Sequence, residues 1–390
     1  MKYNFDEIID RRGTNSLKYD FAAERGKPDG LIKLWVADMD FRTAPRVTEA
    51  LIKSAEHAIY GYSETKKDGA YFHAVKNWFI DRFNFEIKPE WLVKTPGIVY
   101  AICAAINAFT EPGDSALIQT PVYYPFRESI EANGRKCVTN SLAYARGRYY
   151  IDFDDFEDKI IKNKVKLFIL CSPHNPVGRV WTLDELVKMG EICLKHDVIV
   201  LSDEIHCDFI YSGHRHTVFG AINQDFLNKS IICTSPSKTF NLAGLQLSNN
   251  FIADNNLRRK FKREIMKTGY SQHNTMGLVS CQAAYENGGE WVDALVLYLE
   301  NNYNYAKKFL AANLPKIKVA ALEGTYLLWL DLNAYGLSDD ELDKAMIEKA
   351  GLWVSNGVSF GDEGKGFIRI NIACPFALLK TALDRLAGAL

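Results

Sequence analysis

A chain of 390 residues carries a prior of about two to three domains. Its hydrophobic fraction of 47% excludes intrinsic disorder, and chains of this length typically bury around 75% of their unfolded surface without covalent staples. Lys+Arg 47 against Asp+Glu 48 leaves a formal charge of −1, which offers no footprint for a nucleic-acid backbone or an anionic membrane surface.

The opening MKYNFDEIIDRRG mixes charges of both signs and lacks the apolar region of a secretory signal. No later apolar run approaches the roughly 18 residues of a membrane span, so a cytoplasmic protein is expected. Residues 1–45 read as an arm plus part of a smaller domain. Ile98, Ala101, Ile102, Ala105, Ile106 and Phe109 form one apolar helical face, opened by Thr95-Pro96-Gly97 and stopped by Glu111-Pro112-Gly113. The strands expected next are SALIQ (115–119), KLFIL (166–170), VIVLS (198–202) and SIICT (230–234), separated by helix-period segments such as the one carrying Leu183, Leu186 and Val187. Near-continuous apolar strands alternating with helices imply a mostly parallel sheet covered on both faces. The pattern changes after about Gly288, where a long helix around 291–310 leads to KVAALEG, TYLLWLDL and FIRINIA. The expected organisation is therefore 1–45 arm and part of the small domain, 46–287 large α/β domain, and 288–390 small α+β domain.

Each expected strand is followed by chemistry. Thr120-Pro121-Val122-Tyr123-Tyr124 follows the first, and Cys171-Ser172-Pro173-His174-Asn175-Pro176 the second. Asp203-Glu204-Ile205-His206 follows the third, and Ser235-Pro236-Ser237-Lys238-Thr239 the fourth. Ligands of open α/β sheets bind outside the carboxyl ends of the strands, so an aromatic ring, an amide, a carboxylate and a lysine converge there. A lysine can hold an aldehyde as a Schiff base, a carboxylate can keep a pyridinium protonated, and Asn175 can donate to a phenolate oxygen. A phosphate suits the helix N-terminus at Gly97, Ile98 and Val99, with the hydroxyls of Ser235 and Ser237 beside it. The cofactor these residue types describe is pyridoxal 5′-phosphate. Spacing alone does not separate Tyr123 from Tyr124 as the stacking ring.

Other features read as structural. Eight cysteines without a C-x-x-C pair, mostly in apolar stretches, suit a reducing compartment. His206, Cys207, His214 and His216 match no standard zinc spacing, so no metal site is expected.

SDEIHCD, CSPHNPVG, SPSKTFNLAG and FIRINIACP together resemble the fold-type-I pyridoxal-phosphate enzymes of the class I/II aminotransferase superfamily. With DRRGTNSLKYD, WVADMDFRTAP, YGYSE and SKTFNLAGLQ, the chain from about Phe5 onward is similar to the cystathionine β-lyase (MalY/PatB-type C–S lyase) branch. That resemblance implies Lys238 as cofactor lysine and proton carrier, Asp203 on the pyridine nitrogen, Tyr123 on the ring, and Asn175 and His206 near the phenolate oxygen. It implies that Arg369 clamps the substrate carboxylate, that Asp38 lies near the substrate entrance, and that Tyr62 reaches the cofactor phosphate of a neighbouring subunit, hence a homodimer. The position eight residues after the lysine, usually arginine in aminotransferases, is Gln246, a departure that favours the lyase branch. The expected activity is α,β-elimination of L-cystathionine or related S-substituted L-cysteines. The alternatives are an aminotransferase on the same fold and a cofactor-containing regulatory binding protein.

Overall fold

The computed structural model describes residues 3–65 and 69–390. Its main sheet has seven strands in the spatial order Leu92–Thr95, Ser248–Phe251, Ser230–Thr234, Ile199–Asp203, Leu167–Cys171, Ser115–Thr120 and Lys136–Ser141. All neighbours are parallel except those of Ser248–Phe251, which runs against both its partners. The four strands expected from apolar runs are all present, two of them shifted by one residue so that Cys171 and Asp203 become their final positions.

Side-chain alternation explains why those strands are apolar throughout. Leu117, Phe168, Leu170, Val200 and Ile232 enter a core on one face. Ala116, Ile118, Ile169, Leu201 and Ile231 enter a second core on the other, where they meet Ile98, Ala101, Ile102, Ala105 and Ile106 of the helix Ile98–Phe109. A strand buried on both faces has no polar side to show. The helix Leu183–Lys195 begins in a capping box, in which Thr182 accepts from the Glu185 N–H and the Glu185 carboxylate returns to the Thr182 N–H.

Three strands of this sheet lack the apolar signature. Ser248–Phe251 contains Asn249 and Asn250, both fully buried. Asn250 donates to the Val93 carbonyl (2.8 Å) within the sheet while its buried Oδ1 has no partner among the described residues, and Asn249 accepts from the hydroxyl of Tyr71 on the helix Gly69–Phe83 (2.6 Å). Leu92–Thr95 and Lys136–Ser141 flank the sheet with mixed composition.

A second, antiparallel sheet joins Lys318–Val319, Leu327–Asp331, Phe367–Asn371 and Ser355–Asn356 in that order. The helix Gly289–Asn313 precedes it and Phe376–Ala389 follows it. The chain start joins this end of the molecule, where Ile32–Lys33 pairs in parallel with Leu352–Trp353. Among the described residues no helix is long and apolar enough to cross a membrane.

Candidate active site

The carboxyl ends of the parallel strands open onto a cavity of about 430 Å³. Gly97, Ile98, Val99, Tyr123, Asn175, Asp203, His206, Ser235, Ser237 and Lys238 all line it.

Asp203 ends its strand between Cys171 and Cys233 of the neighbouring strands and is 5% exposed. It accepts a bond from the Ile205 N–H (3.1 Å), and among the described residues no lysine or arginine stands within ion-pairing distance. Burial pushes its pKa up to about 7. A buried carboxylate of this kind favours a cationic partner.

Lys238 sits in the short helix Pro236–Thr239, whose cap, Ser235, accepts from the Ser237 N–H (3.1 Å). The Ser235 hydroxyl also donates to the Leu247 carbonyl (2.7 Å) and lies 2.9 Å from the Ser237 hydroxyl. The lysine amine donates to the Ala37 carbonyl (2.6 Å). Burial pushes its pKa down to about 8, with Arg369 adding to the fall and Asp38 and Asp203 opposing it. An amine so placed reaches its neutral, nucleophilic form close to neutral pH.

Asn175 occupies a tight turn closed by His174 N–H to Arg179 O and Gly178 N–H to His174 O, both 2.8 Å. Its own carbonyl accepts from the Tyr123 N–H (3.1 Å), which locks two strand-end loops together. Tyr123 lines the cavity, whereas Tyr124 is 47% exposed and lies outside the lining. Arg369 lies in the second sheet, 5% exposed, and reaches across to donate to the Asn175 side-chain oxygen (3.0 Å). It also donates to the Trp35 carbonyl (2.8 Å) and the Ser355 hydroxyl (3.1 Å), stacks 4.7 Å over Phe360, and keeps a buried Nε without a partner.

Gly97 caps the helix Ile98–Phe109 without a side-chain acceptor, so the first-turn N–H groups remain for a ligand. Its φ of 155° is a conformation that side-chain-bearing residues rarely adopt. Gln246 also lines the cavity, with φ 49°. His206 is buried with an unpartnered Nδ1, packs edge-on against Tyr326 at 5.7 Å, and is held neutral because burial pushes its pKa far down.

Three expected residues do not line the cavity: Arg369, which meets it through Asn175, and two that stand apart from it. Asp38 does not line the cavity; Arg11 (2.7 Å) and Lys18 (3.5 Å) hold its carboxylate. Tyr62 is 93% exposed and makes no part of the cavity within one chain. Sequence reasoning missed Ala37 and Tyr326, whose hydroxyl joins Lys238 on the Ala37 carbonyl (3.0 Å). A backbone acceptor and a tyrosine inside an apolar strand pattern carry no sequence signal. A larger open cavity of about 560 Å³, bordered by Arg82, Asp208, His214 and His216, contains none of the expected catalytic residues. Among the described residues no group of three or more His, Cys, Asp or Glu side chains is arranged to hold a metal.

The family model for aminotransferase class I and II matches residues 29–386. The chain belongs to that family. Within the class I and II aminotransferases, it is 44% identical to cystathionine beta-lyase PatB of Bacillus subtilis, over 99% of this chain and all of that one. Among solved structures, cystalysin from Treponema denticola, which contains pyridoxal 5′-phosphate, superposes with a TM-score of 0.96 at 38% identity, covering 100% of this chain and 99% of that one. The pyridoxal-phosphate-bound C–S lyase from Staphylococcus hominis gives 0.93 at 37% identity, covering 100% and 98%. The expected fold, a pyridoxal-phosphate transferase of fold type I, is the fold observed.

Proposed function

We propose that this chain is a pyridoxal-phosphate-dependent carbon–sulfur β-lyase acting on L-cystathionine or related S-substituted L-cysteines. One observation carries the reading: a neutralisable buried lysine, an unpaired buried carboxylate and an uncapped helix N-terminus share a cavity with an asparagine bonded to a buried arginine.

The residues present fit the cofactor. Asp203 would face its pyridine nitrogen, Tyr123 its ring, Asn175 and His206 its phenolate oxygen, and Lys238 would hold it covalently. Gly97, Ile98, Val99, Ser235 and Ser237 would take its phosphate, with the neutral Gln246 in place of an arginine. When bound, the cofactor supplies an electron sink for the electrons of the substrate Cα–H bond.

Arg369 takes the substrate carboxylate through the N–H groups not used on Asn175, Trp35 and Ser355, and so fixes the orientation of the Cα–H bond. The Lys238 amine, its pKa lowered by burial, would act as the base that takes the Cα proton. Asp203, its proton affinity raised by burial, would share a proton with the cofactor's pyridine nitrogen. His206, neutral and buried, adds a hydrogen-bonding nitrogen without adding charge. The Cβ–S bond then breaks, the thiolate leaves and takes a proton, and the released 2-aminoacrylate reacts with water to give pyruvate and ammonia.

The proposal extends to assembly and organisation. Tyr62, beside the exposed Ile59 and Tyr60, supports a homodimer in which that tyrosine completes the neighbouring subunit's phosphate site. Asp38 serves the substrate entrance through its neighbours, not by direct contact. The three-part division at residues 45 and 287 agrees with the two sheets, and eight free cysteines agree with a cytoplasmic setting.

Supplying L-cystathionine without any 2-oxo acid tests the reading. Continuous release of pyruvate and homocysteine in equal amounts supports it; an absolute requirement for an amino acceptor makes the protein an aminotransferase.

A further inference from the structure

The segment Trp35–Asp40 has no regular secondary structure, yet five consecutive carbonyls along it each receive a side-chain donor. The Trp35 carbonyl accepts from Arg369 (2.8 Å), and that of Val36 from Asn371 (2.7 Å). Ala37 accepts from Lys238 (2.6 Å) and Tyr326 (3.0 Å), Asp38 from Asn371 (2.5 Å), and Met39 from Asn241 (2.8 Å). Loop carbonyls are ordinarily left to water. Here they form a strap whose donors come from the main-sheet side, through Lys238 and Asn241, and from the second sheet, through Arg369 and Asn371.

The strap is anchored from behind. Lys18, fully buried, lies 2.8 Å from Asp40 and 3.5 Å from Asp38. Arg11 lies 2.7 Å from each of the same two carboxylates and donates to the Met39 carbonyl (3.2 Å). Asp40 also ties its N–H to the Ala373 carbonyl (2.9 Å). Two cations and two anions cancel, so the cluster adds no net charge to the site. What it fixes is position: with both carboxylates immobilised, the carbonyls between residues 35 and 39 have a single register against their donors.

We propose that Lys18 and Asp40, which line no part of the cavity, are positioning residues of the reaction: they hold the strap whose carbonyls set where Arg369 and Lys238 stand. The value of that placement for turnover rests on the lyase reading; the hydrogen bonds themselves do not. Misplacing the carboxylate clamp and the base by a fraction of an ångström weakens substrate capture without removing any group that touches the substrate.

Lys18→Met in the holoenzyme removes the buried charge and keeps the side-chain length; Asp40→Asn is the second variant if the first does not fold. Two readouts are taken: kcat and KM for pyruvate release from L-cystathionine, and phenylglyoxal labelling rates at individual arginines, followed by peptide mass analysis. The expected result is a KM raised about tenfold, Arg369 labelled at least about fivefold faster, and the fully buried Arg179, which bonds Glu323, Tyr149 and Glu185 and not the strap, within about twofold of wild type. If Arg369 and Arg179 speed up together, the cluster only stabilises the chain and the proposal is overturned; unchanged labelling at Arg369 overturns it as well. Faster labelling of Arg369 with an unchanged KM upholds the strap and instead contradicts the role given to Arg369 in substrate capture. A wild-type enzyme that releases no pyruvate sinks the lyase reading, while the labelling still decides the strap.

Discussion

Replacing Arg369 by lysine keeps the positive charge and removes the fork. In the folded protein one arm of the guanidinium is committed to Asn175 (3.0 Å) and the other to Trp35 and Ser355 (2.8 and 3.1 Å), with Nε left over. A lysine amine has three donors on a longer-swinging stem and cannot hold these groups while meeting a carboxylate in two places. The loss is about one hydrogen bond to a charged group, about 1.5–3 kcal/mol, which corresponds to roughly a 10- to 150-fold fall in kcat/KM. Because the carboxylate is bound both before and during the reaction, most of the fall belongs in KM, with a smaller decrease in kcat from poorer alignment of Cα–H. The assay is steady-state pyruvate release from L-cystathionine, with cofactor absorbance recorded to show that the variant is loaded. A kcat/KM within about threefold of wild type, or a fall confined to kcat, would refute the assignment of Arg369 as the carboxylate clamp.

Three further outcomes follow from the same geometry. Asp203 holds its proton more tightly folded, at about 7, than unfolded, so the stability this provides is complete below about pH 4 and is lost as pH rises toward 7. The apo Asp203→Asn variant should accordingly exceed apo wild type by about 2–4 kcal/mol in urea unfolding at pH 8 and show no such advantage at pH 4. Glu323 is 3% exposed and joins Arg148 (2.6 Å), Arg179 (2.9 Å) and the Val180 N–H (3.0 Å), so Glu323→Ala should cost about 3–5 kcal/mol, read as a lower urea midpoint. Under the proposed phosphate site, Gln246→Arg, which adds a cation to the cavity lining, should tighten cofactor binding to the apoprotein about tenfold, measured by fluorescence quenching.

The main-sheet strands that carry the chemistry were legible because burial on both faces leaves an unbroken apolar run, and Cys171, Asp203 and Ser235, each directly after such a run, line the crevice. Lys238, Asp203 and Asn175 could therefore be placed from order alone. Ser248–Phe251 could not, since its buried asparagines imitate a loop and find their partners, Val93 and Tyr71 among them, only in the folded chain. Burial, not spacing, distinguished Tyr123 from Tyr124. The strap at 35–39 is the clearest case of invisible information: its contribution runs through backbone carbonyls, which every sequence has. Asp38 illustrates the consequence, since its position near the site was expected while its real engagement, with Arg11 and Lys18, required the folded arm.

The most direct test of the central claim compares wild type with Lys238→Ala, both reconstituted with pyridoxal 5′-phosphate and given L-cystathionine as the sole amino acid without a 2-oxo acid. Pyruvate and homocysteine released one for one by wild type, with none above background from Lys238→Ala, is the result predicted. Sustained elimination by Lys238→Ala, or release by wild type only when an amino acceptor is added, would contradict it.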